Sequence, residues 1–168
     1  QLTSAVTLTA VDTDADGEGI EFGSTVNGGA QQLTMVGGVA FAGAVTNVGT
    51  LLADHLDSES TIVAGTVHVT GTSDLGDSVT TSGEQQYDGT VLLTSDVIAT
   101  STGDANVTFG GTVNGARSLT VNTGGVTTFA GIIGGSTALT ALVTDAPGST
   151  IINTTSVRAG TIDFHDVV

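Results

Sequence analysis

This sequence predicts an all-β chain wound as a right-handed parallel β-helix, a β-solenoid. Three observations predict it: a composition rich in glycine and β-branched residues, a five-residue apolar motif that returns along the whole chain, and a longer self-similarity at an offset of 87 residues.

Composition restricts the choice first. The chain has 168 residues, enough for one domain with a continuous core. Hydrophobic residues make up 39% but aromatics only 4%, with Gly 25, Pro 1 and no Trp. The apolar residues are Val, Ile, Leu and Ala set among Thr and Ser, a mixture that suits strands. Each glycine inside a helix costs about 1 kcal/mol relative to Ala, so this many argue against helices. A mean hydropathy of +0.33 sets the chain apart from disordered segments.

The repeat comes next, because periodicity decides architecture. The motif is a large apolar residue, any residue, a small residue, any residue, then Val or Ile. It reads F-G-S-T-V from Phe22, F-A-G-A-V from Phe41, V-A-G-T-V from Val63 and Y-D-G-T-V from Tyr87. It returns as F-G-G-T-V from Phe109, F-A-G-I-I from Phe129 and F-H-D-V-V from Phe164, with a weaker L-T-S-A-V from Leu2. A second strand pattern lies between copies, around Leu8, Leu33, Val67, Leu92, Leu119 and Leu139. F-G-S-T-V-N-G at 22–28 matches F-G-G-T-V-N-G at 109–115, which gives the offset of 87.

Alternation converts the motif into geometry. In a strand, residues i, i+2 and i+4 share a face, so Phe109, Gly111 and Val113 are expected to point inward together, the small residue relieving crowding beside a stacked ring. Strands this short cannot bury an apolar face alone. Stacking coils about 4.8 Å apart solves that problem. About 7–8 coils of 19–24 residues give a rod roughly 35 Å long. Phe22, Phe41, Phe109 and Phe129 are then expected to line up along one axis. The right-handed crossover rule sets the expected hand. A β-sandwich also tolerates such strand spacing, but does not explain one motif at every second strand. Residues 1–168 read as a single β-solenoid repeat domain, either a segment of a longer array or a subunit that stacks head-to-tail.

Charge narrows the partners. The chain carries Lys+Arg 2 against Asp+Glu 17, a net charge of −15. Such a surface repels phosphate backbones and anionic lipid, so neither nucleic acid nor membrane surfaces are expected partners. No apolar run reaches the ~18 residues of a membrane span. With Cys 0, disulfides and thiolate metal sites are excluded.

Two stretches carry a family resemblance. T-S-G-E-Q-Q-Y-D-G-T-V-L-L at 81–93 and V-T-F-G-G-T-V-N-G-A-R-S-L-T-V-N-T-G-G at 107–125 resemble repeats of filamentous-haemagglutinin-like exoproteins. These are very large bacterial surface proteins whose shafts are right-handed parallel β-helices. The resemblance implies secretion to the extracellular bacterial cell surface, a role in adhesion, aggregation or biofilm, and a surface or matrix receptor or carbohydrate as partner. It transfers no catalytic residue, and the chain is expected not to be an enzyme. A self-assembling extracellular filament subunit is the alternative, and a carbohydrate-active β-helix enzyme a further one.

The local signals are few. Asp12, Asp14 and Asp16, closed by Gly17, alternate carboxylates as calcium loops do, with Glu18 and Glu21 nearby. The bland reading is a solvated acidic turn, and no cofactor is required beyond this candidate Ca²⁺. His55, His68 and His165 lack ligand spacing. D-H-L-D-S-E-S from Asp54 reads as a solvated protrusion, and Arg117 and Arg158 as bridges to carboxylates. T-x-T pairs at Thr7/Thr9 and Thr70/Thr72 resemble ice-binding solenoids but do not recur in every coil.

Overall fold

The computed structural model describes residues 1–10 and 19–168. It is all-β: parallel strands in stacked coils form a β-solenoid of about 7 turns. The chain enters through β1 (Val6–Thr9), β2 (Ile20–Phe22) and β3 (Val26–Asn27). Three long strands follow, β4 (Gln32–Phe41), β5 (Val45–Ser58) and β6 (Ile62–Val69). A regular run of short ones comes next: β7 (Ser73–Leu75), β8 (Val79–Thr81), β9 (Gln85–Tyr87) and β10 (Val91–Leu93). Then come β11 (Val97–Ser101), β12 (Val107–Phe109), β13 (Val113–Asn114), β14 (Ser118–Thr123) and β15 (Val126–Phe129). The described chain ends in β16 (Leu139–Thr144), β17 (Ser149–Ile152) and β18 (Ala159–Phe164).

From β7 to β10 the rule of the fold is plain. Each strand has three residues, buried at the first and third, and each corner has three more. Three such sides close a coil, because β10 returns to pair in parallel with β7. The stack therefore has three faces. The first carries β2, β7, β10 and β13, with the C-terminal parts of β4 and β5. The second carries β3, β8, β11, β14, β16 and β18, with the N-terminal parts of β5 and β6. The third carries β1, β9, β12, β15 and β17, with segments of β4, β5 and β6.

Parallel in-register pairing turns each inward position into a column. On the second face one column runs Val26, Val45, Ile62, Val79, Ala99, Val121, Thr144, Phe164. On the third, Met35, Ala53, Val69, Tyr87, Phe109, Phe129 and Ile152 are vertical neighbours, at steps of 18, 16, 18, 22, 20 and 23 residues. The middle coils are thus shorter than the expected 19–24, since three-residue sides and corners give 18. Later coils grow because β11 begins two residues before the partner of Val79, and because the next corner lengthens to Thr102–Asn106. That corner turns on Asp104, a non-glycine at φ 57°.

The aromatic column splits in two. Phe22 and Phe41 stack on the first face, ring centroids 5.2 Å apart. Below them the column continues as Ser58, Leu75 and Leu93. Tyr87, Phe109 and Phe129 stack on the third face at 5.3 and 5.4 Å. The expected single axis through all four phenylalanines is therefore wrong. The physical reason is that the motif spells a corner: the last inward residue of one strand, three corner residues, and the first inward residue of the next. All three corners obey that grammar, so the motif slides between them. Two further assignments change. At the Val63 copy, Ile62 and Ala64 face inward while Val63 is 44% exposed, and Leu92 faces outward beside buried Leu93. The central small residue also has a different cause. Gly71, Gly89, Gly111 and Gly131 form a column at one corner, and a Cβ on each of the last three would strike the carbonyl oxygen of the glycine one coil before. The crowding is against backbone, not against the aromatic rings.

Most interior polar groups among the described residues are matched locally, the buried Ser73 hydroxyl being an exception without a partner. Gln85 is buried, and its Nε2 donates to the Val79 carbonyl, Thr81 Oγ1 and the Thr100 carbonyl at 3.2, 3.2 and 2.8 Å. Its Oε1 accepts the Tyr87 hydroxyl at 3.1 Å, which satisfies the one polar atom of that stack. Thr81, Ser101 and Thr123 hydrogen-bond to corner carbonyls between the second and third faces.

Candidate functional site

What the stack offers a partner is its outward ladders. Outward residues pair vertically in the same register as the core, so chemistry on the surface is arranged in columns. Hydroxyls touch along them: Thr50–Thr66 at 3.1 Å, Thr90–Thr112 at 3.2 Å and Ser118–Thr140 at 2.9 Å.

Acidic and amide side chains at the corners lock one coil to the next. Asp54 Oδ2 accepts from the Gly37 N–H at 3.0 Å, Asp96 Oδ1 from Ser118 N–H at 2.8 Å and Asp145 Oδ1 from Thr123 N–H at 2.9 Å. Asn106 and Asn114 act alike toward Val126 N–H and Ser136 N–H. Backbone amides left over at bends would otherwise lack partners. Part of the acidity thus serves cohesion between coils.

The sequence-predicted residues fall as follows. Asp12, Asp14 and Asp16 lie outside the described residues, as does Glu18. Glu21 sits outward on β2. Among the described residues no group of three or more His, Cys, Asp or Glu is placed to hold a metal ion. D-H-L-D-S-E-S is not a protrusion: it lies largely in β5, with Leu56 and Ser58 buried and Asp57 outward, as strand alternation requires. Arg117 and Arg158 donate to the carbonyls of Thr94 and Gly135, both at 3.0 Å, and among the described residues neither pairs with a carboxylate. His68 Nε2 meets Asp88 at 2.8 Å, His165 meets Asp163 at 3.2 Å, and His55 Nδ1 meets Thr72 Oγ1 at 3.0 Å. Surface grooves among the described residues include ones of about 360, 270 and 230 Å³. The first of these follows the corner between the second and third faces over Gly49, Gly65 and Ser82.

Two acids respond to their columns in opposite ways. Asp74 stacks on Asp57 in the first face. Burial pushes its carboxyl above the usual carboxylate value, and the Asp57 charge adds to the rise. Asp88 is held below that value by hydrogen bonds from His68 and then Gln86. The signs differ accordingly. Stability linked to Asp74 is present at low pH and lost as pH rises through its raised pKa. Stability linked to Asp88 is present above the ordinary carboxylate range and lost as pH falls through its lowered pKa. Asp74→Asn should therefore stabilise the stack at pH 7 by a few tenths to about 1 kcal/mol, since partial exposure screens the pair. Melts at pH 7 and at about pH 3, below the ordinary carboxylate range, should show the gain at the first and none at the second.

Sequence reasoning missed the interior polar column and the glycine column. The signal was available: inward positions at 73, 75, 79, 81, 85 and 87 repeat every six residues, which puts Ser73, Thr81 and Gln85 inside. Comparison with family models, with curated proteins and with solved structures gives no match for this chain.

Proposed function

We propose that the chain is a structural and adhesive shaft segment of a secreted bacterial surface protein, working in adhesion, aggregation or biofilm. One observation carries this reading: unbroken columns run through the whole stack, tied from coil to coil by corner carboxylates and amides. Such a body resists stretching and presents the same chemistry at every step along its length. The filamentous-haemagglutinin-like repeats at 81–93 and 107–125 support the same role. In this reading the chain is not an enzyme, and its ligand is a surface or matrix receptor or carbohydrate read by Thr, Asn and Asp ladders.

Single-molecule stretching tests the shaft. Peeling should proceed in steps of one coil, about 60–80 Å of chain each at full extension. A single all-or-none event would overturn it. Binding to arrayed matrix proteins and glycans tests the adhesive half, and turnover of an acidic polysaccharide would replace the reading with the enzymatic one.

A head-to-tail filament is the second reading, favoured by one column. Among the described residues, Glu21 is the first and Arg158 the last in one column of the first face. A second copy added end to end would bring these opposite charges together. Fibres seen by electron microscopy, and lost in Arg158→Glu, would support it.

A further inference from the structure

The first face is bipolar along the stack. Its inward column Leu56, Ser73, Val91, Val113, Ile133, Val157 marks six consecutive coils. In the first three, the face and the corner after it carry Asp57, Glu59, Asp74, Asp77 and Asp96, with Asp54 and Asp88 at the corner before it. In the last three, residues 110–118, 130–138 and 153–158 hold no carboxylate and contain Arg117 and Arg158. These are the two Lys or Arg side chains of the whole sequence. Both are exposed. Each gives one N–H to a corner carbonyl, which fixes the guanidinium and leaves its other donors for a partner.

We infer that this face pairs with the same face of a second copy running antiparallel, about a twofold axis between the coils of Asp96 and Arg117. Such a contact is isologous, so each pair forms twice. The axis lays the coil of Arg158 over that of Asp57 and Glu59, and the coil of Arg117 over that of Asp96. Arg158 shares its column with Asp57 and Asp74, so it comes directly opposite Asp57 of the second copy. Asp74 and Asp77 meet the turn at Gly134–Thr137, where Ser136 and Thr137 are exposed. Two Leu92 side chains, each 39% exposed, lie side by side at the axis. Charge selects the face, because no other face carries a lysine or arginine. Charge also selects the order, because parallel copies in register would oppose carboxylate to carboxylate. The contact is small. Six coils at about 4.8 Å and six-residue sides at about 3.3 Å per residue give about 29 by 20 Å, under the roughly 800 Å² per partner of a stable dimer. One pair is therefore weak. Shafts projecting from two facing cells meet antiparallel, so the inference deepens the aggregation part of the shaft reading and rests on that reading for its setting.

The test is self-association of the chain by sedimentation across salt concentrations. A net charge of −15 opposes approach at low salt. At about 0.15 M the screening length is about 8 Å, so distant repulsion fades while touching pairs persist; at about 1 M it is about 3 Å and the pairs weaken too. The expected result is a closed dimer, strongest near 0.15 M. Arg158→Glu should weaken it at least tenfold, and so should Asp57→Arg/Glu59→Arg, with strand signal kept because these side chains face outward or lie at a corner. Mixing those two variants should restore a dimer within about threefold of wild type, since every opposed pair is then of opposite sign. Glu84→Arg/Asp163→Arg makes the same change in net charge away from the first face and should not rescue Arg158→Glu. A chain monomeric at every salt concentration overturns the inference. So does a dimer indifferent to Arg158→Glu, a mixture that fails to restore it, or equal rescue by Glu84→Arg/Asp163→Arg. An open series of larger species would mark end-to-end growth and overturn it as well. Coil-by-coil stretching is unaffected by any of these outcomes, so failure here leaves the shaft reading to its own experiment.

Discussion

Phe109→Asp should abolish cooperative folding of the central coils. Phe109 is fully buried between Tyr87 and Phe129, its ring parallel to both. Removing a buried aromatic costs about 3–5 kcal/mol. An unpaired carboxylate in the same space adds several more, because no cation lies in the column to answer it. The sum rivals the whole 5–15 kcal/mol stability of an ordinary domain. A solenoid spends that stability locally, since each coil contacts only its neighbours. Hydrogen exchange should therefore show loss centred on β9, β12 and β15, with β4 and β5 less affected. Phe109→Leu, which keeps the apolar column, should cost a fraction as much. Melting of Phe109→Asp at the wild-type temperature would remove the inward assignment.

Gly111→Val is the second large effect, and it separates backbone crowding from aromatic packing. The corner column Gly71, Gly89, Gly111, Gly131 brings consecutive backbones so close that a Cβ on Gly111 collides with the Gly89 carbonyl and the Thr90 nitrogen. These are backbone atoms, which cannot rotate away as a flexible side chain would. The coils must part, which weakens the corner pairing between Tyr87–Val91 and Phe109–Val113. Overpacking of this kind costs about 1–3 kcal/mol. Gly23 offers a control, because nothing lies within 4 Å of an added Cβ there. Denaturant midpoints should fall for Gly111→Val and stay near wild type for Gly23→Ala. Equal midpoints would mean that the glycines serve something other than close approach.

The legible part of this fold lay in two-residue alternation and in the return of a corner motif. Both are local, and each survived in part: Phe109 and Val113 point inward, but across a corner that holds Gly111 and not along one strand, Val63 points outward, and strands of identical grammar stack in parallel. What stayed hidden was the number of corners per coil. A motif that marks any corner cannot say which one, so Phe41 and Phe109 looked equivalent although they lie on different faces. The six-residue side held the missing information, but it is regular only from Ser73 to Leu93, where the aromatic motif occurs once. Polar interior positions misled for a related reason. Ser58, Ser73 and Thr81 read as turn residues by type, yet phase places them in the core, where corner carbonyls serve Ser58 and Thr81. The acidic surface was legible as a sum and not as a pattern. Only the columns reveal that Asp57 meets Asp74 while the centre of the second face is neutral.

Vertical neighbours set the central claim, and a pair of cysteines measures it. Thr108 and Thr128 face outward on adjacent coils in direct parallel register. Thr108→Cys/Thr128→Cys should close a disulfide under mild oxidation without loss of strand signal, because neighbouring strands lie about 4.8 Å apart and disulfides span Cα distances of about 4.4–6.8 Å. Ala40→Cys/Thr108→Cys, which joins positions before two phenylalanines of the motif but on different faces, should stay reduced. A bond in the second pair and free thiols in the first would contradict the three-faced stack.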